Sequence, residues 1–150
     1  MNMDADDVAT LLDLQPLPDE GGRWAQTWLD ERSSAIYFLL SPGDHSALHR
    51  LPHVEIYHHY AGAPAELALL HPDGSWQTTV LGCDLRAGQR PTAVVRPGTW
   101  QGSRTLGSWS LLGTTMAPPF TFQSLEVGDP VVLRAAYPSA AQVIDRLSPL

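Results

Sequence analysis

The sequence predicts an all-β domain, a small barrel or jelly roll with short helices at both ends. Three observations carry that prediction. The 150 residues include 13 Pro and 12 Gly, punctuation that suits many short strands joined by turns. Short apolar runs bounded by turn residues recur at close spacing from Arg23 to Met116, as they do in sandwiches and barrels. Helix-capping patterns fall only near the two ends. Residues 1–150 read as one domain, with no internal repeat and no linker.

The elements follow in chain order. Asp4 to Leu14 reads as a helix, capped by Asp4 or Asp6, with Val8, Leu11 and Leu12 on one face. Arg23 to Leu29 suits a strand that carries Trp24 and Trp28 on the same side. Ser33 to Leu40 is a dense apolar run, hence a buried strand, and Ser41 to Asp44 is a turn. His45–Leu51 and Glu55–Tyr60 follow as strands, with a turn at Ala61–Pro64. Asp73 and Gly74 close a hairpin between the AELALL and WQTTVL runs. TAVVR is a strand, PGTW a turn, and Ser108–Met116 the last clear strand. Asp129 followed by Pro130 marks a helix start. Ser139 to Gln142 has capping-box spacing ahead of Val143, Ile144 and Leu147. The count is eight to ten strands.

Composition excludes several functions. Hydrophobic residues make up 43% and charged residues 17%, the balance of a soluble globular protein. Net charge is −7 and no run of Lys or Arg occurs, so neither a nucleic acid nor an anionic membrane is an expected partner. No apolar stretch has the length of a membrane span. The opening MNMDADDVAT lacks the basic and apolar regions of a signal peptide. Cys83 is the single cysteine, read as a packing residue, so no internal disulfide or Cys-x-x-Cys site exists. These absences point to a cytoplasmic location.

Chemistry-bearing residues concentrate mid-chain. His49, His53, Glu55, His58 and His59 lie within eleven residues, and imidazoles with a carboxylate can hold a divalent metal. Strand alternation puts Glu55, Tyr57 and His59 on one face and His58 and Tyr60 on the other. The five ionisable groups therefore cannot all meet at one ion. His45, His53 and His71 read as surface or interface residues.

The segment from Gly43 to Gly62, with Gly43, His49, Glu55 and Gly62 in register, resembles the first motif of the cupin superfamily. Arg96-Pro97-Gly98-Thr99-Trp100-Gln101 resembles its second motif, matching at Gly98. A wider pattern is similar to a single-domain, Cupin_5-like branch over residues 8 to 147. It comprises Glu20-Gly21-Gly22, Ser34–Leu40, His49-Arg50, Glu55–His58, Gly98–Gln101 and Ala117–Phe122.

The resemblance implies a cupin-type double-stranded β-helix, a jelly-roll barrel, with a small-molecule pocket inside. Metal-holding cupins use two His and a Glu from the first motif and a His from the second. Leu51 and Gln101 occupy two of those positions here. The implied ligand set is therefore His49, Glu55 and Gln101, an incomplete one that suits at most a weakly bound divalent metal. No other cofactor is implied. A hydrogen-bonded polar cluster of the same three residues is the structural alternative.

By analogy of fold, the pocket suits an epimerase- or isomerase-like enzyme acting on a small polar metabolite or sugar nucleotide. His49 is then the base, Glu55 its orienting partner, and Tyr57 or Tyr37 the acid. Tyr37, His59, Trp100 and Gln101 are candidate substrate contacts, Trp109 a further wall, and Arg23 and Arg50 candidate anion anchors. The alternatives are a metal-dependent dioxygenase or isomerase, and a binding module without catalysis. A homodimer is expected, paired by sheet extension through Arg23–Leu29.

Overall fold

The fold was obtained as a computed structural model, and the structure describes residues 2–149. The chain opens with helix α1 (Ala5–Leu11) and the two-residue strand β1 (Gln15–Pro16). Strands β2 (Arg23–Leu29), β3 (Ser34–Leu40), β4 (Ser46–Arg50), β5 (Glu55–Gly62), β6 (Ala65–Leu70) and β7 (Trp76–Leu81) follow. Then come β8 (Thr92–Val95), β9 (Trp100–Thr105), β10 (Ser110–Met116) and the short β11 (Glu126–Val127). Helices α2 (Pro130–Ala136) and α3 (Ala141–Arg146) close the chain.

The strands form two sheets, ordered β1-β2-β3-β10-β5-β8 and β11-β4-β9-β6-β7. Every ladder within them is antiparallel. Phe38, Leu40, Tyr57, Leu67, Leu69 and Leu112 pack between the sheets. Each such side chain stabilises the fold by about 1.5–3 kcal/mol through burial. The outer face of the second sheet is covered by α2 and α3, through Leu133, Ile144 and Leu147 against Leu48 and Leu70. The first sheet is partly covered by α1, whose Val8 and Ala9 pack near Leu39 and Tyr37.

Local chemistry sets the helix ends. Asp4 and Asp7 cap α1 reciprocally, each side chain accepting from the other's backbone N–H. Asp129 caps α2 by accepting from the Val131 N–H. Four expectations change. Leu11 points to solvent, and Ala9 takes its place on the buried face of α1. The Ser139 capping box does not form, because its hydroxyl accepts from the indole N–H of Trp76 instead. A bulge after Gln26 displaces the register, so Trp28 lies opposite Ala35 on the outer face while Trp24, opposite Phe38, packs against the core. Cys83 is exposed, not packed. One strand, β9, has no apolar alternation in sequence, because its inward positions are Gln101, Ser103 and Thr105.

Candidate functional site at the barrel mouth

The ladder registers stack one row of residues at the mouth of the barrel. Met116 lies opposite Ser34 on one side and Glu55 on the other, and Glu55 lies opposite Val95. In the facing sheet His49 pairs with Gln101, and Gln101 with Leu69. His49, Glu55, Tyr57 and Gln101 are all buried. A cavity opens there, lined by His49, Leu51, Glu55 and Tyr57 together with Thr114 of β10 and the aromatic rings of Trp24, Phe38 and Phe120. The space open to a water molecule is about 20 Å³, enough for one. Phe120 and Phe122 meet edge to face at 5.1 Å, and Phe122 meets Trp24 at 5.7 Å, so aromatic rings close the mouth.

A residue outside the two motifs completes the site. Glu20 is buried on the loop before β2 and its carboxylate lines the cavity. Its Oε1 accepts from the Ser46 hydroxyl at 2.7 Å and stands 3.5 Å from His49 Nε2. The backbone carbonyl of Glu20 accepts from the Ala47 N–H at 2.7 Å, tying the loop to β4. The turn depends on Gly21 and Gly22, both at positive φ. A Cβ on Gly21 would stand 2.2 Å from the His45 carbonyl oxygen, so only glycine fits. The signal for Glu20 was present in the Glu20-Gly21-Gly22 segment, but nothing local says that this loop folds onto His49.

The electrostatics follow from burial. Desolvation pushes the Glu55 carboxyl up to about 7, and the negative charge of Glu20 adds to the rise. His49 and hydrogen bonds from Thr114 and Gln101 oppose it. Glu55 therefore exchanges a proton near neutrality. Burial, and then the charges of Glu55 and Glu20, push the Tyr57 phenol well above its ordinary value, so it stays protonated. His49 Nδ1 lies 2.7 Å from the Ala47 carbonyl oxygen. A carbonyl only accepts, so Nδ1 carries a proton, and Nε2 is turned toward Glu20 and the cavity. Glu55 Oε1, Thr99 Oγ1, Gln101 Oε1 and Ser103 Oγ are buried without a partner. Such atoms cost about 1–3 kcal/mol each unless a water or ligand meets them.

Other sequence candidates lie elsewhere. Tyr37 is on the outer face of the first sheet, edge to face with Tyr60 at 6.0 Å. Trp100 is on the outer face of the second sheet, under the Arg50 guanidinium at 4.5 Å and against the terminal helices. The alternation that turns Gln101 inward turns Trp100 outward. His59 sits farther along β5, where Nε2 meets the Ala63 carbonyl at 3.0 Å and Nδ1 lies 3.8 Å from Cys83 Sγ. Trp109 packs by α1. Arg23 pairs with Asp6 and Arg50 with Glu126, so neither is an anion anchor in the cavity. His49 is oriented by a backbone carbonyl, not by Glu55 as expected. A wider groove of about 490 Å³ opens at the other end of the barrel, beside Pro42, Arg104 and Arg146. Both arginines there are turned onto Glu66.

The Cupin_5 family, described as Cupin superfamily (DUF985), matches residues 6–128. The chain belongs to this family. Its architecture is the cupin double-stranded β-helix. Protein SO0799 from Shewanella oneidensis is 34% identical over 98% of both chains, with a TM-score of 0.91. A hypothetical protein from Leishmania major is 22% identical, covers 97% of this chain and 99% of its own, and has a TM-score of 0.89. Oxalate decarboxylase from Lactobacillus farciminis shares the fold at a TM-score of 0.59 and 14% identity, over 91% of this cupin and 42% of the decarboxylase. No curated protein matches the chain in sequence.

Metal ions are common in cupins, so the donor set decides whether one fits here. Leu51 occupies the position of a second imidazole, and its buried alkyl side chain lines the cavity. Among the described residues, no three His, Cys, Asp or Glu side chains stand close enough together to hold one ion. Gln101 adds only a neutral amide. The residues present do not fit a resident metal.

Proposed function

We propose that this cupin binds a small molecule by a polar head group at the inner end of the barrel mouth and exchanges a proton with it. The observation that carries the reading is that buried Glu20, His49 and Glu55 line one cavity, with Glu55 Oε1 left without a partner. Structural clusters satisfy their own hydrogen bonds, and a cavity with waiting acceptors marks a ligand site. His49 is the base, with its ring oriented by the Ala47 carbonyl. Glu55 takes up or gives back the proton, because its burial places that exchange near neutral pH. Tyr57 keeps its proton and acts as a hydrogen-bond donor beside them. Such a pair supplies the elementary step of an isomerase.

The test is ligand-observed NMR on a broad panel of small metabolites. Binding that disappears in both His49→Gln and Glu55→Gln supports the reading. A panel with no binder to the wild type, or with binders indifferent to both substitutions, refutes it. Exchange of a ligand C–H for deuterium in heavy water then separates catalysis from binding alone.

Pairing of two copies is proposed at β2. Beyond Trp24 its outer edge has no ladder partner among the described residues, since β1 covers only Arg23 and Trp24. An open edge of this kind is a template for sheet extension.

A further inference from the structure

We infer that the head group taken by this cavity is a primary ammonium. The inference rests on the proposed ligand-binding reading and names the class of ligand. The cavity lining contains two carboxylates, Glu20 and Glu55, and neither Lys nor Arg. One imidazole is the only basic side chain beside them. A negatively charged ligand would meet two carboxylates in a desolvated space, which repel it. A cation relieves the repulsion between Glu20 and Glu55 instead.

Hydrogen-bond capacity selects among cations. Glu55 Oε1 is buried without a donor. Glu20 Oε1 has one donor, the Ser46 hydroxyl, and a carboxylate accepts several more. His49 donates from Nδ1 to the Ala47 carbonyl and turns Nε2 toward Glu20 Oε1. Two carboxylates thus offer free acceptors to the cavity, and a primary ammonium supplies donors to both on a small head. The size agrees, since an ammonium head occupies about the space of the single water that fits there. The aliphatic part of the ligand would lie against the rings of Trp24 and Phe120, which line the cavity.

The probes are n-propylammonium, propan-1-ol, propionate and tetramethylammonium, titrated calorimetrically into the full chain at pH 8 and constant ionic strength. At that pH a primary alkylamine, with a pKa of about 10, is still protonated. Saturable one-to-one binding of n-propylammonium is expected, at least tenfold tighter than for propan-1-ol. Propionate and tetramethylammonium, which lack the charge or the N–H donors, should show none. Glu20→Gln and Glu55→Gln should each weaken n-propylammonium at least tenfold. Binding of propan-1-ol or propionate that equals or exceeds n-propylammonium overturns the ammonium assignment and leaves the pocket reading standing. Equal binding of tetramethylammonium also overturns it, since a bare charge would then suffice. Silence from all four probes, with binders found in the broader metabolite panel, overturns only the ammonium assignment. Silence in both overturns the pocket as well.

Discussion

At the scale of single residues, the cavity is defined by what stands unpaired. Glu55 is the sharpest case. Its carboxyl titrates at about 7 in the folded chain and at 4.5 in the ordinary state. A raised acid means the folded state holds the proton more tightly than the unfolded chain. Stability therefore falls as pH rises from 4.5 to about 7 and stays lower above it. The shift corresponds to about 3 kcal/mol. Glu55→Gln should flatten that slope and raise the thermal midpoint at pH 8 by several degrees over wild type, while leaving it nearly unchanged at pH 4. Melting curves across that range check it, and an identical pH slope in the variant contradicts the burial argument.

Whole elements decide how the site is held and entered. The Gly21-Gly22 turn brings Glu20 onto β4, and its backbone clash leaves no room for a side chain. Gly21→Ala should cost about 2 kcal/mol or more in urea denaturation, from strain at positive φ and displacement of the loop. Phe120, on the segment after β10, closes the mouth with Phe122 and Trp24. Phe120→Ala should speed the entry of any cavity ligand at least severalfold in stopped-flow mixing, with a smaller change in affinity. An unchanged association rate would mean that entry lies elsewhere.

Across the whole molecule, two sheets carry the core, and helices shield the outer face of one of them more fully than the other. Trp28 and Leu29 of β2 remain exposed near one edge of the first sheet. Joined to the open part of β2, they mark the face at which two copies are proposed to meet. Gln26→Pro removes a backbone donor from that strand and should shift a dimer to monomer in sedimentation velocity. A monomeric wild type would end the proposal. None of the described helices is long and apolar enough to cross a membrane.

Much of this architecture was legible in the chain. Turn residues and alternation marked β2, β3, β5 and the β6–β7 hairpin close to their observed ends, and Glu55 and Tyr57 were correctly placed on one face. Those features are local, written in periodicity and in Gly, Pro and Asp at turns. The strand β9 was missed because a polar inner face erases the alternation that reveals a strand. A bulge, which has no clear signature in the residues around Gln26, reversed Trp28. Sequence by itself thus determined most of the elements, the family and three of the cavity's polar groups, since each rests on short-range pattern. Only the tertiary structure decided which faces turn inward, that Tyr37 and Trp100 lie outside, and that Glu20 joins His49. Those outcomes depend on sheet register and loop closure between distant segments, which no local pattern encodes.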